Sequence, residues 1–254
     1  MTSRPVEREE ALVLGSSTYQ EDSAIVTVAT PTGLKGLLCR GIHKPKSALK
    51  PLLVTGTLVE VEYALTEKGP YLARFLNVLQ DHSAFLLDYP KSTFLLLLEE
   101  LTLDLFHYGD SYPFAETKTL LQALENGGNL LTIALLYLGT LYQHLGLEME
   151  TRECINCHKS QDIVSFSFRE GGFICKDCLS LFPGLEIRNA LTLYVLKFVF
   201  LPLSNENLKR IVPMEEGKRV FLELVDYLRD YFDLREIRTS ELFIHSISAG
   251  FMVE

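Results

Sequence analysis

Four cysteines in two C-x-x-C pairs, Cys154 with Cys157 and Cys175 with Cys178, constrain this chain more than any other feature. Two residues between thiolates let one tight turn present both sulfurs to a single ion, and two such turns complete a tetrahedral shell with no open position. A closed four-sulfur shell predicts one structural Zn2+ and no catalytic metal. Between the pairs, residues 163–169 alternate like a strand, and Gly171-Gly172 can turn the chain back into Phe173-Ile174. Residues at about 151–182 therefore read as an inserted zinc ribbon. The other readings are four reduced thiols without metal, or two disulfides, and the latter are disfavoured in a reducing cytosol. His158 follows Cys157 directly but is surplus to a complete shell, so it reads as a surface residue. Cys39 is solitary within a predicted strand and reads as a small buried hydrophobe.

On either side of residue 81 the periodicity changes. Strand patterns occupy 10–14, 24–29, 34–41, 54–63 and 71–79, with turn chemistry at Pro31-Thr32-Gly33 and at 67–70. Five short strands in some eighty residues suit a small antiparallel barrel of the OB type; an SH3-like barrel gives nearly the same pattern. From Phe85 onward apolar residues fall at helical spacing, predicting helices over 92–107, 115–125, 130–145, 188–201, 205–211 and 215–232. Asn129 is placed to cap the third, and Gly127, Gly128 and Gly146 to mark helix ends. The expected fold is α+β with two domains: a barrel over 1–80 and a mostly α-helical domain over 81–254 that carries the ribbon.

At 254 residues and 47% hydrophobic content the chain can bury a sizeable core. The first ten residues are charged and lack the apolar stretch of a secretory signal, so a cytoplasmic location is expected. The apolar runs at 94–106 and 190–203 are interrupted by Glu99, Glu100, Asp104 and Lys197 and read as buried helices, not membrane spans.

The net charge of -9 conceals an uneven distribution: residues 1–50 hold seven Lys/Arg against five Asp/Glu, so the remainder carries all of the acidic excess. Between Lys35 and Lys50 stand Lys35, Arg40, His43, Lys44, Lys46 and Lys50 without one acidic residue. Pro45 and Pro51 break regular structure, predicting an exposed loop over 41–51 that projects ammonium groups. Lysines read charge and not base identity, so contact with nucleic acid would be independent of sequence and sensitive to salt, with a log-log slope of roughly -3 to -5 for about four to five phosphates. A solvated basic loop that serves solubility is the plainer reading. Tyr19, Tyr63, Tyr71 and Phe75 lie on or beside the strands and are candidates for stacking on bases or for packing.

An enzyme needs a nucleophile with its base, or an acidic metal cluster. The chain holds no G-x-S-x-G, H-E-x-x-H, Walker A or dinucleotide fingerprint, and its six histidines are scattered without ligand spacing. The rival to a nucleic-acid role is a protein-interaction adaptor in which the ribbon docks a partner and no nucleic acid is bound.

Several segments together resemble the RecO family of recombination mediators: Glu10-Ala11-Leu12-Val13-Leu14, then Tyr19, Glu21 and Asp22, then Gly33-Leu34-Lys35 and the run from Arg40 to Ser47. Cysteines at 154, 157, 175 and 178 within a helical body match many family members. The resemblance implies an N-terminal OB domain and a zinc-bearing helical domain acting on DNA without cofactor turnover. It implies binding of single- and double-stranded DNA, strand annealing, and cooperation with RecR to help RecA displace single-strand-binding protein. Carried over by position, Lys35, Arg40, Lys44, Lys46 and Lys50 would be the DNA contacts, by a chain that is a monomer on its own. The segment 234–240 is only loosely similar to the family's more basic terminal helix. For the acidic, hydrophobic-ended tail of single-strand-binding protein, Lys197, Lys209, Arg210, Lys218 and Arg219 would have to rim an apolar pocket; solvated helix faces account for them equally well.

Overall fold

The 14 consecutive residues of one strand explain how the N-terminal sheet closes. Strand β1 (Val6–Tyr19) pairs antiparallel with β4 (Leu58–Ala64) through its first half and with β2 (Ser23–Thr30) through its second, with an irregularity between Val13 and Gly15 where the partner changes. Strands β3 (Gly33–Cys39) and β5 (Tyr71–Gln80) complete the order β1-β2-β3-β5-β4, a closed barrel in which β3 and β5 run parallel. The computed structural model describes residues 6–64 and 70–249, without the side chains of 74–76 and 249. The turn expected at 67–70 falls outside the described residues except for Pro70, as does the ring of Phe75.

The alternation that predicted these strands becomes a barrel core of Ala11, Val13, Val26, Val28, Leu37, Val59, Val61 and Tyr63, all fully buried. The strand expected over 54–63 begins four residues late. Val54 to Thr57 form a turn instead, because Gly56 adopts a φ of +86° and its N–H reaches back to the carbonyl of Val13 at 2.8 Å.

Seven α-helices follow among the described residues: α1 (Tyr89–Leu105), α2 (Phe114–Glu125), α3 (Leu130–His144), α4 (Ala190–Val199), α5 (Asn205–Leu208), α6 (Met214–Tyr231) and α7 (Arg238–Ala249). Asn129 caps α3 as expected, its side-chain oxygen accepting from the Thr132 N–H at 3.0 Å, and Asn189 does the same for α4. Among the described residues no helix is long and apolar enough to cross a membrane.

The chain divides into two compact units, Met1–Leu121 with Ile237–Glu254, and Gln122–Glu236. The break expected after residue 80 marks where strands give way to helices, but packing divides the chain elsewhere. Helix α1 packs on α7: Phe94 meets Phe243 with ring centroids 6.0 Å apart, Thr93 and Ser246 share a hydroxyl hydrogen bond of 2.8 Å, and Glu100 accepts from the Thr239 N–H at 3.0 Å. In the second unit α3, α4 and α6 pack closely. A Cβ on Gly139 would lie 2.0 Å from the Val199 carbonyl oxygen, and the Tyr142 hydroxyl donates to the Leu224 carbonyl at 2.8 Å. The inserted segment forms a three-stranded sheet, β6 (Glu150–Cys154), β7 (Ile163–Ser167) and β8 (Gly172–Cys175), in the order β6-β8-β7. Phe168 of this insertion stacks on Tyr227 of α6 at 5.0 Å.

Candidate metal centre and nucleic-acid interface

Strands β6 and β8 lie side by side and deliver Cys154 and Cys175 at their ends; each then enters the tight turn that the C-x-x-C spacing predicts. Gly172 permits the close approach of β8 to β6, since a Cβ there would meet the Glu150 carbonyl oxygen at 2.3 Å. The four sulfurs of Cys154, Cys157, Cys175 and Cys178 all lie within 4.8 Å of one another, with Cys157 and Cys175 3.5 Å apart, and none is in a disulfide. A tetrahedron of zinc–sulfur bonds near 2.3 Å requires sulfurs roughly 3.8 Å apart, so the donor set fits one such ion.

Electrostatics favour a cation here. Burial works against ionising Cys154, but backbone N–H groups of Cys175, Cys157 and Asn156 overcome it and bring the thiol down to about 6. At Cys178 the Asn156 amide donates to the sulfur at 3.3 Å, yet burial and the neighbouring thiols push it up to about 12. Ionisation is thus favoured at Cys154 and opposed by neighbouring thiols at Cys157 and Cys178, a frustration that a dication would relieve. His158 is exposed, turns its ring to Glu153 at 2.7 Å, and supplies no ligand atom to the cluster. Cys39 is fully buried in the barrel, and burial pushes its thiol up to about 12.

The basic loop lies in the other unit. Residues 40–49 run as successive turns in which Arg40, His43, Lys44 and Lys46 are exposed, and Lys50, also exposed, opens a short 3-10 helix, Lys50–Leu53. The loop is not loose: Ile42 is fully buried in the barrel core, Leu49 and Leu53 pack against the same cluster, and the His43 N–H donates to the Asp22 carbonyl at 3.2 Å. The carboxylate of Asp22, itself exposed, reaches Lys44 at 4.0 Å.

Lys35 departs from expectation. It is buried in β3, where its ammonium pairs with Glu9 at 3.1 Å, donates to the hydroxyls of Thr30 and Thr32, and sits 5.8 Å from the centroid of Tyr63. The cause is β1, which carries Glu9 beside it. Burial works to raise Glu9, but hydrogen bonds from Tyr63, Lys35 and Thr32 outweigh it and hold the carboxyl below its usual range. Lys35→Met should therefore cost stability, about 3 kcal/mol for a broken buried pair, without touching the exposed loop. A carboxylate with a depressed pKa contributes fully above its unfolded value and loses that contribution as pH falls through its folded one. In urea titrations the gap between parent and variant should accordingly narrow as pH falls below 4.5, the ordinary value for glutamate.

Of the aromatic candidates, Tyr63 is fully buried and donates to Glu9 and Glu7, Tyr71 is half-buried against Tyr63, and Tyr19 is exposed. The five cations suggested as a rim in the helical unit do not converge. Lys197 lines a cleft with Phe200 and Pro202, Lys209 lines another with Leu208 and Ile211, and Arg219 a third with Ile187. Arg210 is paired with Glu206, and Lys218 with Glu215.

A family model described as Recombination protein O N terminal matches residues 2–78, and one described as Recombination protein O C terminal matches 86–235, more than half of the chain by itself. The chain belongs to the RecO family. It is similar to the DNA repair protein RecO of Bacillus mycoides (strain KBAB4) and to that of Bacillus cereus (strain AH187), each 28% identical over 176 residues, or 66% of this chain and 69% of the relative. In this RecO-family chain the exposed loop cations fall inside the N-terminal match and all four cysteines inside the C-terminal one. Sequence reasoning missed Tyr108, an exposed tyrosine within the C-terminal match whose ring lies over Gly36 of the barrel. No periodicity marks it; the only signal was a glycine in the middle of a strand.

Proposed function

We propose that the protein is a non-enzymatic mediator of recombinational DNA repair that grips single- and double-stranded DNA through the barrel and promotes annealing of complementary strands. With RecR it would help to load RecA onto DNA coated by single-strand-binding protein, acting in the cytoplasm at the nucleoid as a monomer when alone. The closed order β1-β2-β3-β5-β4, with β3 and β5 parallel, supports reading the barrel as an OB-fold, an architecture that binds oligonucleotides. The cysteine cluster would hold one Zn2+ through Cys154, Cys157, Cys175 and Cys178; bound there, the ion supplies rigidity and no reaction chemistry.

The observation that carries this reading is the loop. Four full cations, Arg40, Lys44, Lys46 and Lys50, stand exposed on a segment pinned to the barrel by Ile42, with only the exposed Asp22 reaching one of them among the described residues. Point charges held in place neutralise phosphates in any base sequence. Because Lys35 is committed to Glu9, its DNA contact is withdrawn from the proposal, and the number of phosphates neutralised falls to about four.

The test is oligonucleotide binding followed by fluorescence anisotropy across a salt series. Four phosphate contacts predict a log-log slope of about -3.6 on duplex and about -2.8 on single strands. No binding at low salt would overturn the reading in favour of a protein-interaction adaptor.

A further inference from the structure

Between the end of α1 and the start of α2 the chain crosses the outer face of the barrel. The Leu34 N–H donates to the Asp110 carbonyl at 3.1 Å and the Gly109 N–H to the Leu34 carbonyl at 2.9 Å, so the crossing is bonded to β3 as a short added strand would be. Tyr108 rides on it. Its hydroxyl shares a hydrogen bond of 3.0 Å with Thr27 on β2, the residue directly opposite Gly36 on β3. The ring lies over Gly36, where a Cβ would meet the Tyr108 Cζ at 3.2 Å, so the absence of a side chain there lets the ring lie down on the sheet. Even so pinned, Tyr108 remains 61% exposed.

Tyr108 shares the lining of a cavity of about 610 Å3 with Tyr71, at the start of β5, and with Ile25, Leu34 and Gly36. That volume lies within the ~300–1,000 Å3 of sites that accommodate small organic ligands. An exposed aromatic ring ordinarily swings between rotamers and loses that freedom on binding. This one is already held at its hydroxyl by Thr27 and through the backbone of the adjoining Gly109 and Asp110, so less ordering remains to be done. The cavity lies on the face of strands β2 and β3, which OB barrels present to oligonucleotides. Three residues of β3 beyond Gly36, roughly 10 Å of strand, bring the chain to Cys39, and the exposed cations begin at the next residue. An aromatic-walled cleft therefore leads along one strand into a patch of positive charge, the combination that a base joined to a phosphate chain requires.

We propose that the cleft between Tyr108 and Tyr71 takes an unstacked nucleobase of single-stranded DNA, with Tyr108 as its stacking platform and the loop cations holding the phosphates that follow. This rests on the reading of the loop as a DNA contact. It adds that the barrel distinguishes single strands from duplex, whose bases are already stacked on one another and unavailable to the cleft.

The experiment measures affinity of the full chain, at one low salt concentration and across a salt series, for three labelled probes. These are a single strand of about 15 nucleotides, a duplex of the same length and an abasic single strand. Tyr108→Ala should weaken single-strand binding about 5- to 100-fold, leave duplex binding within about twofold, and leave the salt slope unchanged. Tyr108→Phe, which keeps the ring, should retain most of the single-strand affinity. The abasic strand should bind the parent as weakly as the intact strand binds Tyr108→Ala, a comparison that does not rely on how the alanine variant folds. Undiminished single-strand affinity in Tyr108→Ala, or equal losses on single strand and duplex, would overturn the cleft while a steep salt slope left the loop in place. A parent that bound neither DNA form in dilute buffer would remove both.

Discussion

Cys175→Ser should abolish stoichiometric zinc binding and unfold the ribbon. The parent is expected to purify with one zinc per chain, measured by atomic emission, and the variant with none. A serine hydroxyl does not ionise near neutral pH, and three thiolates without the fourth leave the shell open to water and exchange. Binding energies of roughly 10–16 kcal/mol for structural zinc rival the ~5–15 kcal/mol that stabilises a whole domain, so the loss cannot be absorbed locally. Around the metal-binding turns of β6 and β8 the packing depends on the cysteines themselves: the cluster there consists of the cysteines, Ile174 and partly buried neighbours such as Ile155 and Phe182. Amide exchange in residues 150–181 should rise sharply in the variant, while barrel amides keep their protection. Cys39→Ser is the control and should retain the metal, because Cys39 belongs to the barrel core and takes no part in the cluster. A parent free of metal after purification without chelators would sink the zinc assignment.

Reversing two charges on the loop should have the larger effect on DNA. Lys44→Glu with Lys46→Glu removes two of four exposed full cations and puts two carboxylates in their place. The salt slope on duplex should fall by about two, and affinity near 50 mM salt by on the order of 100-fold, since each lost phosphate contact forfeits its counterion release and each new carboxylate repels the backbone. Annealing of complementary strands should slow in parallel. Stability should barely change, because both side chains are exposed and, among the described residues, Lys44 reaches an acidic group only at Asp22, 4.0 Å away. Unimpaired annealing in a well-folded double variant would remove the loop as the principal contact.

What could be read from the residues alone depended on how local the governing chemistry is. The C-x-x-C pairs declare themselves because a metal shell needs fixed spacing, and the helix cap at Asn129 because a side-chain oxygen serves an N–H three residues on. Strand β1 was visible only over its middle, where residues 11–15 are buried; its flanks are exposed and carry no hydrophobic alternation, yet they pair with β4 and β2. Lys35 looked like part of a basic run because its partner, Glu9, lies on a different strand and becomes a neighbour only when the barrel closes. Tyr108 is similar, its place on the sheet fixed by Thr27 and Gly36, both far away in sequence. The segment 238–249 carries Ser and β-branched residues that favour helix weakly, and α7 is held by its contacts with Phe94, Thr93 and Glu100 on α1.

The return of α7 to α1 has a consequence for biosynthesis. Residues 122–236 form an unbroken stretch and can complete their packing as soon as they clear the ribosome, whereas the unit begun first waits for α7 until the whole of that second unit has been synthesised. During that interval the buried face of α1, including Phe94, lacks its cover, which makes the nascent barrel half the segment most exposed to chaperones and proteases.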